Sequence, residues 1–223
     1  MKILDIPQSG KRGLTVSQQG AYGQISRALA IPSNPRSADQ LAVRQRLAAA
    51  AEGWRSITED QRVAWNALAK TRQSKARLGQ SGPMSGFLLF VQVNANLALV
   101  GQNQVTDPPA LPAFPALAVS SLTASNTNGT FVLSAACPTS PGNRTLLRAS
   151  APMSAGRFSS SGYRFIGVCP APASGAADIT SLYVAKFGKA PAGTKVFLRA
   201  NQMVNGLEDV PREFSAIVGA GSA

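Results

Sequence analysis

Asp107-Pro108-Pro109-Ala110-Leu111-Pro112-Ala113-Phe114-Pro115 divides the chain. Four prolines in eight residues fix φ repeatedly and remove backbone donors, so this stretch reads as a stiff linker. Ahead of it, apolar residues recur at helical spacing. Behind it they come in short runs bounded by turn residues. The change of period sets the expected fold class, α+β. Four segments follow: an extended basic arm over 1–36, a helical domain over 37–104, the Pro-rich linker over 105–116, and an antiparallel β-sandwich over 117–223.

Behind the linker, β-rich runs are expected at about 117–124, 130–137, 144–149, 163–169, 179–186, 194–202 and 212–218. Asn126 to Gly129, Pro138 to Asn143, Ser159 to Gly162, Pro170 to Ala177, Gly188 to Gly193 and Asn205-Gly206 break them. Seven short strands in such a length suit a sandwich of the immunoglobulin or fibronectin type III kind. Thr194-Lys195-Val196-Phe197-Leu198-Arg199 alternates, placing Val196 and Leu198 on one face. Asn205-Gly206 is a strong tight-turn signal.

Working forward from the linker, Phe87, Phe90, Val91, Asn94, Leu97 and Ala98 follow i, i+3, i+4, i+7 spacing, with Gly101 placed as a C-cap. Asn94 lies on that apolar face. It serves either as a satisfied core amide or as a hydrogen-bonding contact to a partner chain, the first being the commoner use. Ser37-Ala38-Asp39-Gln40 and Thr58-Glu59-Asp60-Gln61 are capping-box starts of two further helices. Leu41, Leu47, Ala48, Ala51 and Trp54 form one apolar face, and Trp65, Leu68 and Ala69 the next. The two helices join as a hairpin at Gly53 to Ile57, with Trp54 and Trp65 packing where they meet. Lys70, Arg72, Lys75 and Arg77 close it. Trp54, Trp65, Phe87 and Phe90 are expected to hold the helical unit together, as core more than as interface. Residues 1–36 carry scattered glycines and no sustained period, apart from a short strand at Leu14-Thr15-Val16, so ordering is expected by lying on something else, either its own body or a neighbour.

The 223 residues carry a formal charge of +12. Residues 1–104 hold 13 basic and 5 acidic residues, the remainder 9 and 5, so the excess lies in front. An anionic partner is implied: nucleic acid, an acidic protein surface or a membrane face. Lys11, Arg12, Arg27, Arg44, Arg46 and Arg55 are the expected docking cations. No apolar run is long enough to span a bilayer, so no membrane partner is expected.

The chain has no histidine, which removes the commonest general base and metal ligand. The carboxylates are scattered, and phosphate-binding glycine loops and nucleophile elbows are missing. No catalytic residue, metal or cofactor is therefore expected. Cys137 and Cys169 lack CxxC spacing, and buried free thiols are the default expectation, a disulfide the lesser one.

Gly10-Lys11-Arg12-Gly13, Tyr22-Gly23-Gln24, Asn34-Pro35-Arg36 with Gln40 and Arg44, Trp54, Ile57-Thr58, Gln61-Arg62 with Trp65, and Asn94 with Gly101 together resemble a loosely defined group of uncharacterised bacterial and prophage-encoded proteins. The similarity covers roughly residues 10–101 and implies a phage or mobile-element setting without an activity. The expectation is a non-enzymatic bacteriophage virion structural protein: capsid-associated, connector or tail. It would assemble with other virion proteins, as a homo-oligomer or assembly component, in the bacterial host cytoplasm. The alternative is a DNA-binding or DNA-compacting protein using the basic helical half.

Overall fold

The protein is α+β with a sheet-rich C-terminal half. The computed structural model describes residues 8–20, 23–73, 82–137 and 144–220. Tyr22, Lys75, Arg77, the first three residues of the Gly79–Ser85 break and all of the Pro138–Asn143 break lie outside them. The chain divides into two compact units, residues 1–91 and 92–223.

In the front unit, strands β1 (Gly10–Arg12), β2 (Thr15–Gly20) and β3 (Gly23–Ala28) form an antiparallel meander. This corrects the expectation of a plain extended arm. Gly13 turns the chain with φ 57°, a value a glycine adopts without steric cost, and the segment then pairs with itself. The register aligns Lys11 with Val16 and Val16 with Arg27.

Helix α1 (Ala38–Ser56) starts where Ser37 Oγ accepts the Gln40 N–H at 3.4 Å. Helix α2 (Glu59–Lys70) has the complete reciprocal cap. Thr58 Oγ1 accepts from Gln61 N at 3.3 Å, and Thr58 N–H donates to Gln61 Oε1 at 2.9 Å. Between them the Arg62 guanidinium donates to the carbonyls of Arg55 and Trp54 at 3.1 and 3.5 Å, satisfying the end of α1. Helix α3 (Gly86–Leu99) begins against α2, its Gly86 N–H donating to Asn66 Oδ1 at 2.9 Å. A Cβ at Gly86 would lie 2.5 Å from that oxygen, so glycine sets how closely the helices approach.

In the back unit, strands β4 (Ser121–Thr127), β5 (Thr130–Ala136) and β9 (Ala176–Asp178) form one sheet, in the order β4-β5-β9. The second sheet holds β6 (Arg144–Ala149), β7 (Met153–Ser154), β8 (Arg164–Val168), β10 (Thr194–Val204), β11 (Leu207–Glu208) and β12 (Arg212–Ile217). Its path is β8-β6-β10, with β11 and β12 on the other side of β10. The two sheets join along one side, where Gly219 exchanges backbone hydrogen bonds with Ala124 and Asn126 at 3.0 and 2.9 Å. Leu133 and Phe131 from the first sheet, and Leu147, Ile166, Val196 and Leu198 from the second, share one core.

The stretch 179–186, expected as a strand, is helical: α4 spans Thr180–Phe187. Ile179, Tyr183 and Val184 favour strands by propensity, but local bonding overrides it. Asp178 Oδ1 accepts the Thr180 N–H at 2.9 Å, and the Thr180 hydroxyl bonds both backbone groups of Leu133 at 2.8 and 3.3 Å. Tyr183 is fully buried and its hydroxyl donates to the Ser150 carbonyl at 3.1 Å. The Asn205-Gly206 turn, with φ 51° and 76°, links β10 to the short β11 rather than to the last strand directly.

Candidate functional site

The sequence offered two sets of residues: apolar anchors and docking cations. The anchors meet around one ring. Phe90 receives Trp54 and Trp65 edge-on, with centroids 5.3 and 5.2 Å away, and Phe87 adds a T-shaped contact to Trp54 at 5.8 Å. The tryptophans therefore meet through Phe90 and not simply where α1 turns into α2. Trp65 and Phe90 are buried, while Phe87 is 39% exposed at the margin. Asn94 is fully buried. Its Oδ1 accepts from Val105 N at 2.8 Å and its Nδ2 donates to Val105 O at 3.2 Å. The amide thus pairs with the linker's first residue as a neighbouring strand would, so its hydrogen bonds are met within the chain. Asn96, passed over in the sequence, donates to Gly206 O at 2.9 Å.

The cations behave differently. Lys11, Arg12, Arg27, Arg44 and Arg55 are exposed, and Arg46 is half-buried. The meander register places Lys11 and Arg27 on either side of Val16 in one row, so their charges share a face. Arg44 donates to Asn34 Oδ1 at 2.9 Å, which ties the segment after the meander to α1. Ion pairs among the described residues include Arg62–Glu59, Arg148–Glu208 and Arg199–Glu213, and the expected docking cations stand outside those three.

The face of α1 expected to be buried is largely bare. Leu41 and Leu47 are 44% and 53% exposed, Val43, not among the residues of that expected face, is 54% exposed, and Ala50 is the one residue of the helix that is fully enclosed. Leu41, Leu47 and Ala48 are thus corrected from core to surface. Length explains it. A 12-residue α2 folding back from Thr58 spans only about 18 Å, against roughly 28 Å for the 19 residues of α1. The first turns of α1 therefore have no α2 beside them. Arg44 and Arg46 lie between Leu41 and Leu47, so apolar side chains and cations alternate along this stretch of helix.

The sequence also missed two polar groups on the second sheet. Arg148 reaches Asn201 Oδ1 at 2.7 Å and both Glu208 oxygens at 3.0 Å. Arg199 pairs with Glu213 and stacks over the Tyr163 ring at 4.0 Å. Burial, reinforced by the neighbouring Glu213 carboxylate, pushes the Tyr163 hydroxyl above its ordinary range. Cross-strand register alone brings these residues together, and their spacing in the sequence carries no sign of it. Among the described residues no cluster of three or more ligating side chains could hold a metal ion. None of the described helices is long and apolar enough to cross a membrane. No protein-family model matches this chain, and no curated protein is similar to it at a significant level.

Proposed function

We propose that this chain is a non-enzymatic structural protein of a bacteriophage virion, capsid-associated, connector or tail, assembled in the bacterial host cytoplasm. The front unit fastens it to other virion proteins or to further copies of itself, and the back unit projects. The observation that carries this reading is the first half of α1. A helix whose Leu41, Val43 and Leu47 stand in water, interleaved with Arg44 and Arg46, gains most of its stability from whatever comes to cover it. Self-contained enzymes do not need such a helix; an assembly component does. The resemblance over residues 10–101 to prophage-encoded proteins supplies the phage setting.

The back unit is read as an immunoglobulin or fibronectin type III-like sandwich. In that fold the first two strands pair with a later one in the first sheet, and the third pairs with the last two in the second. The orders β4-β5-β9 and β8-β6-β10-β12 support the assignment.

The test is light scattering after size exclusion on three proteins: the full chain, a chain lacking residues 1–36, and the double variant Leu41→Asp, Leu47→Asp. The expected result is an oligomer for the full chain that falls to a monomer when α1 carries the aspartates. Equal masses for all three would sink self-assembly through this surface. The row of Lys11 and Arg27 favours one second reading, DNA binding or compaction. A salt titration separates it: about six phosphate contacts lose roughly a thousandfold in affinity between about 50 and 200 mM salt. Apolar docking of α1 depends far less on salt.

A further inference from the structure

Cys137 directly follows β5 of the first sheet, and Cys169 directly follows β8 of the second. Both are free thiols, 0% and 6% exposed, in the core that the two sheets share. The two thiols share a hydrogen bond. Their backbones are fixed as well: Cys137 N–H donates to Gly175 O and Cys169 N–H to Thr145 O, each at 2.8 Å. A single buried cysteine is an ordinary small apolar residue. Two that hydrogen-bond each other from separate sheets of one core have their sulfurs brought near, which is the first thing a disulfide needs.

We infer that Cys137 and Cys169 are a latent disulfide, closed by a small peroxide, that cross-links the two sheets of the back unit. Cys169, the thiol with residual exposure, meets the oxidant first. Its thiolate attacks one peroxide oxygen, the O–O bond breaks, and the departing hydroxide takes up a proton. The Cys137 sulfur then attacks the resulting sulfenic sulfur. The S–O bond breaks, and the hydroxyl leaves as water with the Cys137 proton. Two thiols and one hydrogen peroxide give one disulfide and two waters; the sulfurs lose two electrons and the peroxide gains them. Burial pushes the Cys169 thiol up to about 11 and raises Cys137 too, so few thiolates exist at neutral pH and the pair closes slowly. A pair of this kind stays reduced through synthesis and closes only on sustained exposure.

The experiment uses the full chain, purified under a thiol reductant, freed of it and incubated with hydrogen peroxide. Intact mass, non-reducing peptide mapping and guanidinium unfolding are then measured. The expected result is a peptide pair linking Cys137 to Cys169, lighter by two hydrogens, with a raised denaturant midpoint that dithiothreitol reverses. Cys137→Ala abolishes the link. Thiols that still alkylate fully after unfolding, cysteines found only as sulfinic or sulfonic acid, or a disulfide joining two chains would each overturn the inference.

Discussion

Helix α1 and strand β10 are the longest elements of the two units, and they are built on opposite plans. Of the 19 residues of α1, Ala50 alone is fully enclosed, and leucines stand in water. In β10, Val196, Leu198 and Ala200 enter the shared core, while Phe197, Asn201 and Met203 on the other face are buried too. The back unit closes a core between its own sheets, although Phe158 and Val210 stand in water on its loops. The front unit holds together around Phe90 and leaves its first helix unfinished. In one chain, the closed core and the bare helix lie in different units, so each can be altered without the other.

The largest expected effect tests that division directly. Leu198→Ala should cost about 2–5 kcal/mol, because it empties a fully enclosed site between two sheets. Leu47→Ala should stay within about 0.5 kcal/mol in the isolated protein. Guanidinium unfolding of both variants checks this, and a comparable cost for Leu47 would erase the contrast. A smaller loss, about 1–3 kcal/mol, is expected for Asn94→Ala, which strands both backbone groups of Val105. Hydrogen exchange sharpens the point: the amide of Val105 should lose protection while the Gln61 amide at the α2 cap keeps it.

The gentlest effect comes from alkali. Cys137, Cys169, Tyr163 and Tyr183 all lie in the back unit, and burial raises every one of them. Each is an acid whose charged form the fold disfavours, so its contribution is complete below the unfolded value and declines as pH climbs towards the folded one. For Cys169 that window runs from about 9 to about 11. Thermal melts of the reduced protein should therefore fall gradually over this range. Circular dichroism should show sheet loss before helix loss, and a melting temperature flat across the window would remove the asymmetry.

How much of this was legible in the sequence depended on how local the signal was. Thr58-Glu59-Asp60-Gln61 announced the start of α2 because a capping box closes over three residues. Asn205-Gly206 announced its turn for the same reason. Asn94 could be recognised as a polar group on an apolar face, yet its partner, Val105, lay beyond the end of its own helix. The α4 stretch misled because Ile179, Tyr183 and Val184 count as strand formers until the Asp178 and Thr180 bonds are known. The meander was passed over because its strands are short and polar, with register fixed by turns and not by an apolar face. Above all, the 3.6-residue period of Leu41 and its neighbours specified a face without specifying whether anything covers it. The bare stretch of α1 was therefore invisible, although the cations on it had been named.

The pairing of β10 has a consequence in time. Ser150 meets Phe197 across 47 residues of chain, and Arg148 meets Asn201 across 53. At about 5–20 residues per second, roughly 2–10 s pass during synthesis between the emergence of β6 and that of the strand it waits for. Until then one side of β6 is an open edge, and Leu146 and Leu147, which end fully enclosed, have no cover from β10. Closing such distant pairs places the back unit among the slow, all-or-none folders. The nascent chain thus spends seconds with its front helices, its meander and the β4–β5 hairpin already able to form, while β6 still waits for β10.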